Sequence, residues 1–108
     1  MTTRLIRPEE RNLICHLLKL ADYSADLPES SLVTDLDDGG MGSLEIFAER
    51  QRLFGRELIV MKYIDIDNVD VWISINLDDQ DDLFELDVWK VNFERLLKFP
   101  TPEELLPE

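Results

Sequence analysis

Hydrophobic positions change period once along this chain, and the change divides it into a helical start and a β-rich remainder. Leu13, Ile14, Leu17, Leu18 and Ala21 recur at helical spacing, which places them on one stripe of a helix predicted over residues 8–22. Pro8 suits the first turn, Glu9 and Glu10 sit at the positive end of the helix dipole, and Lys19 sits at the negative end. The polar run 22–28 reads as the exit loop. From there β-branched and aromatic residues take over. Segments 31–37 and 42–48 flank Gly39-Gly40 as a predicted hairpin, while residues 45–54 also suit a short helical piece. Three further strands are predicted over 58–66, 69–78 and 83–93, separated by polar bends.

The strand over 69–78 alternates most clearly, with Val71, Ile73, Ile75 and Leu77 facing one way and Trp72, Ser74, Asn76 and Asp78 the other. A bend that pairs Asp78 with Leu83 sets Leu77 opposite Phe84, Ile75 opposite Leu86 and Ile73 opposite Val88. On the reverse face the same register sets Asn76 against Glu85, Ser74 against Asp87 and Trp72 against Trp89. A slip of one residue would undo every match. Ile59, Met61 and Tyr63 must share the aliphatic face if Lys62 is to stay off it, so an odd-length bend is expected near Asp67-Asn68. Lys62 then lies beside Trp72, where a cation–π contact is expected.

The face bearing both indoles also carries Leu58, Val60, Ile64 and Val91, too much apolar surface to be fully wet. The helix covers one side of the sheet only. Leu96, Leu97, Phe99, Leu105 and Leu106 are the local candidates to cover the other, with a second subunit as the alternative. The expected fold class is therefore α+β: an N-terminal helix on a mainly antiparallel meander of about five strands. Residues 8–93 form the main body and 94–108 a C-terminal closing segment, in one domain.

Composition narrows the function classes. At 108 residues and 44% hydrophobic the chain can build one core without a disulfide framework. Twenty-four acidic against 11 basic residues give a net charge of −13, which disfavours nucleic acid and anionic membranes as partners and favours a basic protein or a cation. The single cysteine, Cys15, and a start without the apolar run of a signal peptide give the expectation of a cytoplasmic protein.

Much of the acidity falls in the bends 35–40, 65–70 and 78–82. In a meander the first two lie at one end of the sheet, so Asp35, Asp37, Asp38, Asp65, Asp67 and Asp70 are the candidates for a cation site. The same residues serve as turn formers or as a surface for a basic partner. Neither bend has the spacing of a calcium-binding helix-loop-helix. Gly39-Gly40-Met41-Gly42 lacks the Lys-Ser/Thr of a phosphate loop, and Asp37-Asp38 would repel phosphate. His16 and Cys15 are neighbours on a helix and diverge by about 100°, so they do not form a nucleophile pair. No cofactor is implied. Glu85 and Asp87, with Glu45 nearby, are the only carboxylates with a catalytic reading, and pairing with Lys62 or Lys90 is the plainer expectation.

Asp37-Asp38-Gly39-Gly40-Met41-Gly42-Ser43-Leu44 and Leu83-Phe84-Glu85-Leu86-Asp87-Val88-Trp89-Lys90-Val91-Asn92-Phe93 resemble the two signature segments of a family of small, uncharacterised bacterial domains known only as a domain of unknown function. The resemblance runs over residues 7–93 and implies relatedness and a prokaryotic source, with no activity, ligand or catalytic residue attached. Asp67-Asn68 stands where Asp-Gly is expected in relatives, and Asn also tolerates a left-handed backbone.

The functional expectation is a non-enzymatic acidic module that binds a protein, plausibly a basic one, of toxin-neutralising or regulatory type. Its binding residues are Lys62, Trp72, Glu85, Asp87 and Trp89. A carboxylate-based enzyme, a calcium-binding domain and a structural homodimer are the alternatives.

Overall fold

A computed structural model describes residues 2–108. Strand β1 (Thr3–Leu5) leads into helix α1 (Pro8–Leu20), followed by β2 (Leu32–Asp35), β3 (Leu44–Ile46), β4 (Phe54–Ile64), β5 (Asp70–Asp78), β6 (Leu83–Lys90), a 3-10 turn (Pro102–Glu104) and β7 (Leu106–Pro107). All pairings are antiparallel, in the order β1-β2-β3-β6-β5-β4-β7. The architecture is α+β and mostly β.

The helix forms as its stripe requires. Leu13, Ile14, Leu17 and Leu18 are buried and share one core with Val33, Leu44, Tyr63, Val71, Ile73, Ile75, Leu86 and Val88 from the sheet. Glu10, also buried, accepts the Arg7 amide at 2.8 Å and closes the first turn. At the other end the helix stops at Leu20, two residues earlier than its apolar stripe suggested, in a turn where Asp22 takes a left-handed backbone.

The central register follows from alternation: Trp72 lies opposite Trp89, Ile73 opposite Val88, Ser74 opposite Asp87, Ile75 opposite Leu86 and Asn76 opposite Glu85. Ile59, Met61 and Tyr63 pair with Ile75, Ile73 and Val71, as parity requires. The bend between β4 and β5 is odd: the Asp65 amide bonds to the Val69 carbonyl, and Asn68 between them has φ +66°.

Several expectations need correction. The sheet has seven strands rather than about five, because β1 and β7 are too short to show a period. It is not a simple meander: β3 pairs with β6, and the chain then crosses to β4 on the far side of β5. Leu77 pairs with Leu83 instead of Phe84, since the register shifts after Asn76 and leaves Phe84 as an extra residue. The hairpin strands are shorter than 31–37 and 42–48, residues 45–54 hold no helix, and β6 stops at Lys90 rather than residue 93. Leu96, Phe99 and Leu105 pack against the same core as the helix, and Tyr63 Oη donates to the Lys98 carbonyl at 2.9 Å. The C-terminal segment thus closes the helix side of the sheet, and the indole-bearing face keeps no second layer.

Candidate functional site

The acidic bends are occupied by the protein itself. Arg4 on β1 grips Asp35 through Nε and Nη2 at 3.0 and 2.6 Å, and also reaches Glu10. Asp38 accepts the amides of Met41 and Ser43, which folds the glycine loop back on itself. Asp70 pairs with Lys62 at 3.2 Å. At the opposite end of the sheet Arg50 reaches Asp78 at 2.6 Å and Asp82 at 3.2 Å, while Arg56 holds Asp81 at 2.7 Å.

Lys90 is the centre of the other cluster. In β6 it has the parity of Leu86 and Val88, so its stem points to the core, and its ammonium donates to Asp65 at 2.9 Å, Asp67 at 2.7 Å and the Arg95 carbonyl at 3.2 Å. Its side chain has no exposed surface, yet the group lies shallow, sealed by the segment that follows β6 rather than by depth. Burial alone would lower its pKa; Asp67 and Asp65 outweigh that and raise it. Burial likewise pushes Asp65 up, but the Leu97 amide, Lys90 and the amides of Ile66 and Lys98 hold its carboxyl below the ordinary value of 3.8. Asp78 is lowered against its burial by the amides of Asp82 and Gln80 and by the charges of Arg50 and Arg52.

The open sheet face is different. Across it, pairings align Thr34, Glu45, Glu85, Asn76 and Glu57 in one transverse row. Glu45 stands directly opposite Glu85, an arrangement of like charges that destabilises a sheet. The Asn76 amide donates to Glu85 at 2.9 Å and supplies no charge. Among the described residues no Lys, Arg or His forms a salt bridge with Glu45, Glu57, Glu85 or Asp87.

The next rows change character. Asp87 lies opposite Ser74 and Ser74 opposite Val60; then come Trp89, Trp72 and Lys62 side by side. Trp89 is 44% exposed, Trp72 is half-buried, and Ile64, Val91 and Phe93 are exposed around them. The face grades from carboxylates at one end to aromatic and aliphatic surface at the other. Although Asp87 shows part of its side chain to water, crowding by protein around the carboxyl raises its pKa; Ser43, whose hydroxyl lies 3.3 Å away, opposes this and the Asp38 charge adds to it.

Of the nominated binding residues, Trp72, Glu85, Asp87 and Trp89 share this face. Lys62 lies there too, but it is committed to Asp70 and makes no cation–π contact with Trp72. Lys62 and Lys90 do not neutralise Glu85 or Asp87, since both cations are taken by bend carboxylates. The cation-site candidates do not gather: among the described residues no three His, Cys, Asp or Glu side chains are grouped to hold a metal ion. A catalytic pair would need a cleft, and the larger recesses lie elsewhere. One of about 600 Å³ is beside the helix C-terminus, lined by Cys15, Tyr23 and Asp26 among others. Among the described residues no helix is long and apolar enough to cross a membrane.

Sequence reasoning missed Glu57 and Phe93, and it left Glu45 unplaced. Plain parity puts Glu57 on the core face with Ile59, Met61 and Tyr63, and the register shift between Glu57 and Ile59 turns it to the open face instead.

Comparison with known proteins adds a family. Residues 3–100 match the domain of unknown function DUF6984, and the chain belongs to that family. No curated protein and no solved structure matches it.

Proposed function

We propose that this domain is a protein-interaction module whose open sheet face receives a basic partner. The observation that supports the reading most directly is the row of carboxylates without a cation, with Glu45 set against Glu85, beside two indoles in register. A fold gains nothing from that opposition. A partner that brings Lys or Arg to the row relieves it and gains charge-assisted hydrogen bonds. Trp72 and Trp89 supply large apolar area that becomes an anchor once water is excluded. The chain's net charge of −13 steers such a partner on encounter. A second copy of the same face is the poorer occupant, because it would set unpaired carboxylates against their own kind.

The reading makes no use of the bends, most of whose carboxylates are engaged within the fold, Asp37 being exposed and without such a contact among the described residues. It places the protein among binding modules of regulatory or neutralising type, in the cytoplasm. The test is affinity capture from cells with the wild type and with the double variant Trp72→Ala/Trp89→Ala, followed by kinetics on each purified captured protein. The expected partner is basic, associates more slowly as salt rises, and loses at least about tenfold in affinity with the double variant. A partner whose binding ignores both salt and the two indoles rules the face out.

A further inference from the structure

Among the described residues, four other than glycine have a left-handed backbone: Asp22, Asn68, Asp81 and Phe93. The first three are the types that tolerate it, because a short polar side chain bonds locally. Phe93 is not. Its φ is +62°, it is a bulky aromatic, and it is 70% exposed, so core packing does not account for it. The turn is fixed by the Phe93 amide bonding to the Lys90 carbonyl at 2.9 Å, directly after the residue locked by Asp65 and Asp67. The result is that the Phe93 ring lies beside Trp89, centroids 6.2 Å apart and planes inclined at 52°. Two aromatic planes therefore stand exposed at the apolar end of the open face, placed by that hydrogen-bonded turn.

Resting on the reading of this face as the docking surface, we infer that Phe93 and Trp89, in contact with each other, form a preformed aromatic platform on which an arginine side chain of the partner stacks. Charge complementarity selects a cation: among the described residues Glu45, Glu57, Glu85 and Asp87 form no salt bridge. The planes select a guanidinium, which is flat, weakly hydrated and stacks on aromatic rings, over a strongly hydrated ammonium. A left-handed aromatic on a surface turn is the kind of local strain that persists where the side chain is needed.

The test uses the intact chain, with nona-arginine and nona-lysine as probes of equal charge, read by tryptophan fluorescence at low salt. Phe93→Gly is the informative variant, since glycine adopts the turn freely and the net charge is unchanged. Expected are tighter binding of nona-arginine than nona-lysine by the wild type, and a loss of about fivefold in nona-arginine affinity with Phe93→Gly. The urea midpoint of that variant should hold or rise. Equal affinity for the two peptides, or unchanged nona-arginine binding by Phe93→Gly, overturns the platform and leaves the basic docking face standing. A midpoint that falls makes Phe93 a packing residue and overturns the platform as well. If the wild type binds neither peptide, the docking face falls along with it.

Discussion

The carboxylates of the bends and those of the open sheet face are the same chemical groups in opposite circumstances. Asp65 and Asp78 are buried, and each is surrounded by amides and cations that hold it ionised. Glu45, Glu85 and Asp87 are set on a flat surface among one another, with one neutral amide donor and one hydroxyl between them. The first set builds the fold, and the second costs it something. Net charge therefore does not locate a partner surface; the charge left over after internal pairing does.

Three experiments press on that contrast. The largest effect is expected from Lys90→Ala, which leaves Asp65 and Asp67 without their ammonium. The melting temperature should fall by on the order of 10 °C, with hydrogen exchange accelerating at the Leu97 and Lys98 amides that Asp65 holds. A fall of a degree or two would erase the distinction between the two sets.

The second is a pH series. Asp65 and Asp78 have folded pKa values below the ordinary 3.8, so their contribution is complete above that pH and is lost as pH falls through the lower folded values. Asp87, raised in the folded state, has the reverse sign: its ionised form disfavours folding, and the penalty lifts as pH falls through its raised value toward 3.8. Urea midpoints should show Asp65→Asn destabilised at neutral pH with a shallower acid decline. Asp87→Asn should be slightly stabilised at neutral pH, by no more than about 0.5 kcal/mol. Matching signs for the two variants would break the comparison.

The smallest effect is expected from Glu45→Gln/Glu85→Gln. Removing the opposed charges should stabilise the isolated domain by about 0.2–1 kcal/mol, while weakening a basic partner. Loss of stability would show that the row serves the fold after all.

How much of this was readable beforehand depended on local repetition. Alternation from Val71 to Leu77 carried the register, because one slip would bury either Trp72 or Asp87 against the core. The odd bend at Asn68 followed from keeping Lys62 off the core. What escaped was non-local or aperiodic. Three-residue β1 has no period, so the hold of Arg4 on Asp35 was invisible. The crossing from β3 to β4 is set by packing across the sheet, and the extra residue at Phe84 by the Asp78 turn, whose carboxyl accepts the Gln80 and Asp82 amides. For the site, Trp72, Trp89, Glu85 and Asp87 were placed together correctly. Their expected neutralisation by Lys62 or Lys90 was not, although the parity of Lys90 with Leu86 and Val88 already pointed it toward the core and demanded a buried acid.

The outer strand β4 has a consequence of its own. Register shifts interrupt it between Phe54 and Arg56 and between Glu57 and Ile59, and Gly55 lies so near the Asp78 carbonyl that a Cβ would collide with it. β7 pairs only with Met61 and Lys62. Without those interruptions the rest of β4 would be a straight rail on which copies of the chain could add edge to edge into a ribbon. Kinked as it is, the rail offers no continuous template for edge-to-edge addition.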